Sequence, residues 1–183
     1  MNLTHHFLVS MPQLHDSEFN DSLIYILDHG EHGAFGVILN HELGMNLGAV
    51  FDQLEIQTQS SSTAEEGVLR GGPVDEGHGL VLHPPGPQFQ ITRDFAGGVS
   101  LSSSRDVLEA LALGEEPHNH LVLLGHSGWA PGQLEMEVAN NAWLTCAANT
   151  TVIFNTPLNE RRQAAGNILG IDLLQIVGHS GRA

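Results

Sequence analysis

The chain has 183 residues and carries 21 Asp and Glu against six basic residues, which gives a formal net charge of −15 at pH 7. A field of this sign repels the phosphates of nucleic acids, so the composition argues against direct DNA or RNA binding. The length fits one domain, and no apolar run approaches the roughly 18 residues of a membrane-spanning helix.

The β-strands are predicted from short runs rich in Val, Ile, Phe, Tyr and Leu. The segment DHGEHGA, between the second and third of these runs, carries two glycines and predicts a hairpin loop. The run LVLL is apolar throughout, which is typical of a strand covered on both faces. The predicted strands are 6–10, 23–27, 35–39, 68–70, 80–83, 121–124, 143–146 and 152–154.

Four helices are predicted from apolar spacing and cap residues. The first covers 46–54. The second is capped by Ser103, with Asp106 at the acidic position of a capping-box variant, and ends at Gly114. The third covers 131–140 and is expected to point Leu134, Val138 and Met136 inward. The last begins at Thr156-Pro157 and ends near Leu169.

The polar segment 56–67 has no periodicity, and we interpret it as a mobile surface loop rather than a domain boundary. The whole chain, residues 1–183, is therefore predicted to form a single domain. The start of the sequence has no basic n-region, and the lone Cys146 excludes an internal disulfide. Both features predict a protein of the reducing cytoplasm.

The tetrapeptide GHSG follows the apolar run LVLL and raises the question of a serine nucleophile. Ser127, Asp172 and His179 occur in the chain order of α/β-hydrolases. A nucleophile elbow, however, needs a small residue two positions after the serine, and Trp129 stands there. The second GHSG places Ser180 close to the chain end, with no helix after it.

The alternative interpretation of GHSG is architectural. Gly125 and Gly128 would let the chain turn tightly as it leaves the buried strand, and Trp129 would then cover the core. A triad of Ser127, His179 and Asp172 remains the enzymatic alternative.

Histidine is abundant, with twelve residues, and several occur in pairs. His29 and His32 lie in one turn-like segment, and His118 and His120 lie in another. No HExxH, CxxC or carboxylate triad accompanies them, so we predict neither a metal site nor a cofactor.

Two segments are candidates for ligand or partner binding. In the first, Arg70, Gly71, Gly72 and Pro73 could expose backbone N–H groups beside a guanidinium and hold a carboxylate or small anion. The alternative is a structural role, because a turn before Pro73 would require the same glycines. In the second segment, Trp129, Gln133 and Glu135 could form a partner-binding corner. Alternatively, Trp129 could fill the core, while Gln133 and Glu135 stabilise the first turn of the helix.

The stretch GHSGWAPGQLEMEVANNAWL resembles the G-[YH]-[AS]-G-W-x-x-G-Q-L-E-x-E-x-x-x-N-x-W signature of the YqgE/AlgH family of bacterial proteins. RGGPV, VLH, IFNTP and LGID are similar to other blocks of that family, so the resemblance spans nearly the whole chain. It implies an α+β fold, a single domain with a curved, partly barrel-like mixed sheet flanked by helices.

The resemblance implies no enzyme mechanism. Some members of the family are described as transcriptional regulators linked to alginate production, and the gene often neighbours one for a Holliday-junction-resolvase-like protein. The family accepts Ala at the position of Ser127, which weakens the nucleophile hypothesis. It often has an aromatic residue where this chain has His126, and usually Trp where this chain has Arg162.

The sequence thus predicts a cytoplasmic, non-enzymatic adaptor or regulatory module that acts through protein contacts or a small ligand. The resolvase-like protein is the partner that the resemblance suggests. A small serine hydrolase that uses Ser127, His179 and Asp172 is the alternative from a different functional class.

Overall fold

The computed structural model describes residues 1–176, in which ten β-strands and six α-helices are formed. The strands are His6–Ser10 (β1), Leu23–Gly30 (β2), Gly33–Ile38 (β3), Glu42–Asn46 (β4), Gly67–Arg70 (β5), Val74–His83 (β6), Thr92–Phe95 (β7), Val99–Ser102 (β8), Leu121–Trp129 (β9) and Trp143–Ala147 (β10). The α-helices are Leu47–Gln53 (α1), Ser61–Ala64 (α2), Arg105–Leu113 (α3), Gln133–Ala139 (α4), Thr150–Phe154 (α5) and Arg161–Ile168 (α6). Short 3₁₀ helices lie at Pro12–Leu14, Leu158–Glu160 and Leu173–Gln175.

The chain forms two compact units. The first comprises residues 1–40 together with the described part of the chain from Ser127 onwards. Its strands follow the order β10-β1-β2-β3 and end with the last residues of β9, and every neighbouring pair is antiparallel. Its core contains Leu8, Ile24, Leu134 and both tryptophans, Trp129 and Trp143.

The second unit comprises residues 41–126. The first part of β9 lies parallel to β5 and antiparallel to β6, and the sheet continues through β8 to β7, while β4 pairs with β5. Leu47, Phe51 and Leu111, from α1 and α3, pack with Val68 and Val122 of the sheet to form its core.

Most predicted strands and the first, second and third helices are present, although their ends differ by up to six residues. The predicted hairpin is confirmed, with Gly30 opposite Gly33. Asn46 caps α1, because its side-chain oxygen accepts a hydrogen bond from Ala49 N at 3.0 Å. Asn46 also ends β4, which the sequence analysis did not predict, and β7 and β8 were likewise missed.

The predicted strand at 152–154 is wrong, because these residues belong to helix α5. Asn149 provides the N-cap, and its side chain accepts a hydrogen bond from Val152 N at 2.9 Å. Tertiary packing and this cap outweigh the β-propensity of the run TTVIF.

Further boundaries need correction. The segment 56–67 is not wholly a loop, since it contains α2, capped by Ser60. The cap of α3 is Ser104 rather than Ser103. The third predicted helix begins at Gln133, and the last predicted helix starts as a 3₁₀ turn before α6 at Arg161. Among residues 1–176, no helix is long and apolar enough to cross a membrane.

Candidate functional site

The signature segment forms the end of β9, a short connection and the helix α4. Gly132 is the N-cap of α4 and has φ +76°, a left-handed conformation that favours glycine. The Gln133 side chain folds back, and its Oε1 accepts a hydrogen bond from Ala130 N at 3.0 Å. Leu134 is buried as predicted, but Met136 is 62% exposed, so the expectation that it points inward is wrong.

Glu137 joins the two tryptophans of the signature. Its Oε2 accepts the indole N–H of Trp129 at 2.9 Å and the indole N–H of Trp143 at 2.8 Å. Its Oε1 accepts a hydrogen bond from Gln133 Nε2 at 2.9 Å. One carboxylate therefore satisfies three donors, and we call this set of four residues the Glu137 clamp.

Aromatic packing completes the clamp. Phe19 stacks on Trp129, with ring centroids 6.2 Å apart, and meets Trp143 edge to face at 5.6 Å. The two indoles also pack edge to face, at 6.3 Å. Trp129 is 5% exposed and Trp143 is 2% exposed, so both rings belong to the core.

Glu135, the neighbouring signature carboxylate, contacts a buried histidine. His29 Nδ1 accepts the backbone N–H of Leu3 at 2.9 Å, so the proton of the neutral ring lies on Nε2. That nitrogen donates to Glu135 Oε1 at 3.0 Å. The backbone N–H of Glu135 itself and the bond from His29 lower the pKa of this carboxyl group. Glu135 therefore links α4 to the first residues of the chain.

The RGGP segment carries Arg70 at the end of β5 and Gly72 and Pro73 in the connection to β6. Arg70 Nη2 lies 2.6 Å from Glu76 Oε1, which forms an ion pair. The backbone N–H of Gly71 donates to Leu124 O at 2.8 Å. A Cβ on Gly71 would clash with the carbonyl oxygen of Gly125, so a close backbone crossing also requires this glycine.

The structure places Ser127 inside β9, opposite Gly36, and not at a turn between a strand and a helix. Ser127 is fully buried. The architectural prediction of a turn at Gly125 and Gly128 is also wrong, because the strand continues to Trp129. Gly125 has φ +74° and lies opposite a bulge in β6, where the pairing of β9 with β6 shifts register.

Asp172 of the hypothetical triad provides no support for catalysis. The Asp172 carboxylate accepts hydrogen bonds from Leu174 N at 3.0 Å and Gln175 Nε2 at 3.1 Å, so it caps a 3₁₀ turn. His179 and Ser180 lie outside the described residues.

The sequence analysis missed a second serine–histidine pair, in the second unit. His83 Nδ1 donates to Pro84 O at 2.8 Å, and Nε2 accepts the hydroxyl of Ser102 at 2.8 Å. Thr92 Oγ1 in turn donates to Ser102 Oγ. His83 and Ser102 are fully buried, and burial lowers the pKa of His83. The network is closed and inaccessible to a substrate, so it stabilises the fold.

Of the paired histidines, His120 has the most defined environment. Its Nδ1 lies 2.7 Å from Pro117 O and its Nε2 lies 2.6 Å from Glu66 Oε2, and both oxygens are acceptors. Burial alone would lower the pKa of His120, but the hydrogen bond and charge of Glu66 outweigh it and raise the pKa. The fold therefore favours the imidazolium. In the part of the chain that the structure describes, no three His, Cys, Asp or Glu side chains could share a metal ion.

Arg162, which stands where the resemblance leads us to expect Trp, lies on α6. Its Nη2 donates to Ser10 O at 2.9 Å, so the arginine ties α6 to the end of β1.

A cavity of about 430 Å³ opens within the second unit, between α1, α3 and the sheet. Its volume lies in the range typical of ligand sites. Gln53, His78, Ser103, Ser104 and Arg105 contribute the polar part of its lining. Its apolar walls include Met45, Val50, Leu54, Val81, Leu108 and Leu124. None of the candidate binding or catalytic residues proposed from the sequence lines it.

Comparisons with known proteins agree with this geometry. A family model described as AlgH-like matches residues 7–174. A UPF0301 protein of Vibrio atlanticus is 39% identical, and one of Yersinia pestis is 42% identical, each over the full length of both chains. The solution structure of the AlgH protein from Pseudomonas aeruginosa superposes with a TM-score of 0.82 at 39% identity, over 100% of this chain and 97% of that one.

A crystal structure of DIP2367 from Corynebacterium diphtheriae is similar in fold, with a TM-score of 0.63 at 20% identity over 91% of this chain and 85% of that one. The predicted α+β fold class is confirmed by these similarities. The names of the relatives specify no reaction.

Proposed function

The chain belongs to the AlgH-like family. Because the side chains of its signature form hydrogen bonds with one another, we propose that the protein is a non-enzymatic adaptor or regulatory module. It acts by binding a protein or a small ligand. The membership confirms the resemblance that the sequence motifs indicated.

The observation that carries the proposal is the Glu137 clamp. Catalytic carboxylates and nucleophiles need access to substrate and a pKa suited to proton transfer. Here Glu137 accepts three hydrogen bonds from the signature itself, and Ser127 is fully buried within a strand. The motif that defines the family thus builds a rigid corner, and rigidity of this kind serves recognition as well as stability.

The net charge supports a protein or small-molecule ligand over a nucleic acid. We therefore propose that any influence on transcription passes through a protein contact. The buried thiol of Cys146, which forms no disulfide, supports placing the protein in a reducing cytoplasm.

The enzymatic question is tested with a panel of p-nitrophenyl esters and a Ser127→Ala variant. The proposal predicts that wild type and variant release nitrophenol at the same slow rate, equal to that of the buffer. Turnover that disappears in Ser127→Ala would overturn it.

The adaptor question is tested by co-purification of the tagged full chain with the Holliday-junction-resolvase-like protein, the partner that the family resemblance suggests. We expect a stoichiometric complex on size exclusion in the absence of DNA. A complex that forms only with DNA present would contradict a direct protein contact.

A further inference from the structure

We propose that the cavity of the second unit is the docking site for an amphipathic, basic segment of a protein partner. This inference rests on the proposed binding function and specifies where the partner is held. The apolar face of the segment would enter the cavity, and its cationic face would lie against the exposed acidic residues that flank the lining in sequence, Asp52, Glu55, Asp75 and Glu76.

The cavity walls provide the apolar half of the recognition. Leu54, at the end of α1, is 37% exposed, and Leu108 of α3 is partly buried on the surface of the core. Partly exposed leucines that line one concave site form the kind of pocket that takes a large apolar side chain of a partner.

One wall of the cavity comes from an irregular part of β6. Val74 pairs with His126, and the next pair is Gly79 with Leu124, so the residues 75–78 form a bulge opposite Gly125. This bulge is exposed, and a Cβ placed on Gly77 would meet no atom within 4 Å. A partner can therefore approach the backbone closely at this wall.

Charge selects the type of partner. Residues 41–126 contain twelve Asp and Glu against three Arg. Arg105, the one arginine on the cavity lining, is compensated because its Nε donates to Glu109 Oε1 at 2.7 Å. Such an imbalance repels anionic ligands and steers cationic ones towards the site. An anionic lipid or nucleotide is disfavoured for the same reason.

A cavity-filling variant tests the site. Gly79 lines the cavity, and a Cβ on it would lie 3.9 Å from Leu124 Cδ2, an ordinary contact, so Gly79→Phe fills the space without a backbone clash. Gly30→Phe is the matched control, since a Cβ at Gly30 meets nothing within 4 Å and Gly30 does not line the cavity. Leu54→Ser removes an exposed wall and gives a second, independent variant.

Binding to the full chain is measured by fluorescence anisotropy with three labelled peptides. The first is a helical leucine–lysine peptide with leucine on one face, the second has glutamate in place of lysine, and the third is oligolysine. We expect the leucine–lysine peptide to bind best, and Gly79→Phe and Leu54→Ser to weaken it about tenfold or more while Gly30→Phe does not. Thermal unfolding verifies that each variant is folded.

Several outcomes would overturn the inference. Folded Gly79→Phe and Leu54→Ser proteins that bind the leucine–lysine peptide as tightly as wild type would exclude the cavity. If oligolysine bound as tightly as the leucine–lysine peptide, charge alone would explain the binding and the cavity would have no part in it. Tighter binding of the glutamate peptide would indicate an anionic ligand. None of these results depends on the esterase or co-purification experiments. A wrong docking site can therefore be distinguished from a wrong proposed function.

Discussion

At the scale of single residues, the signature of this family has a physical explanation in Glu137. The spacing W-x₃-Q-x₃-E-x₅-W places two indoles and one amide around a single carboxylate. Trp129 and Gln133 were singled out from the sequence, but Glu137 was not. The signal was available, because buried indole N–H groups need an acceptor and the acceptor side chains on α4 are Gln133, Glu135 and Glu137.

Glu137→Gln tests this explanation. The variant replaces the carboxylate with a neutral amide, which is a weaker acceptor for the two buried indole N–H groups and places an N–H₂ group beside the Gln133 amide, so we expect a loss of about 1–3 kcal/mol in the free energy of unfolding. Urea unfolding followed by tryptophan fluorescence measures it. The control is Glu160→Gln, which makes the same charge change at an exposed residue and should leave the stability within about 0.5 kcal/mol of wild type.

His120 provides a pH-dependent contact. Its pKa is raised in the folded state, so its contribution to stability is fully present below the unfolded value of about 6.5 and is lost as pH rises through the folded pKa. We therefore expect the stability advantage of wild type over His120→Gln to be largest near pH 6 and to shrink by pH 9. Urea midpoints across this range provide the measurement.

His118→Gln is the control for that series, because the His118 side chain is 70% exposed and contacts Glu116 only at 3.7 Å. Its stability curve should run parallel to that of wild type. A constant difference between wild type and His120→Gln at every pH would contradict the account.

Cys146 should be unreactive in the native protein. The thiol is buried and its pKa is raised by burial, so little thiolate is present at neutral pH. We expect Ellman's reagent to modify Cys146 at the rate of global unfolding, with rapid reaction only after denaturant is added. Rapid, complete labelling of native protein would show that the thiol is accessible.

At the scale of elements, β9 shows where sequence reasoning succeeded and where it failed. The buried strand at 121–124 was predicted from its apolar run, but its continuation through GHSGW was not. Two glycines and a serine have low strand propensity. Pairing with a neighbouring strand stabilises the extended conformation instead, since residues 34–36 of β3 pair with residues 127–129.

The same limit explains the helix α5, which was predicted as a strand. The run VIF has the composition of a strand, and only the capping interaction of Asn149 and the tertiary surroundings favour the helix. By contrast, β1, β2 and α1 were predicted well because short apolar runs mark the strands, and helical periodicity and a cap mark the helix. The cavity could not be predicted, because its walls come from segments distant in sequence.

A pair of glycine variants tests the conformation of Gly125 in β9, opposite the bulge in β6. Gly125 has φ +74°, and a Cβ there would lie 2.5 Å from Gly72 O, so Gly125→Ala should cost more than about 2 kcal/mol of unfolding free energy. Gly128→Ala is the matched control in the same strand, because its Cβ would meet nothing within 4 Å. Similar urea midpoints for the two variants would contradict the bulge.

At the scale of the whole molecule, the account rests on the family signature serving as structure rather than as catalytic machinery. The charge of −15 and the membership of the AlgH-like family agree with the binding function proposed above. Ser127 is the decisive residue, since it is the one serine that the sequence offers as a nucleophile next to the signature.

Intact-mass analysis after incubation of the native protein with a fluorophosphonate is the most direct measurement. Because the Ser127 hydroxyl lies inside a strand and is fully buried, we predict that the native mass does not change. A stoichiometric adduct on wild type that is absent from Ser127→Ala would contradict the account.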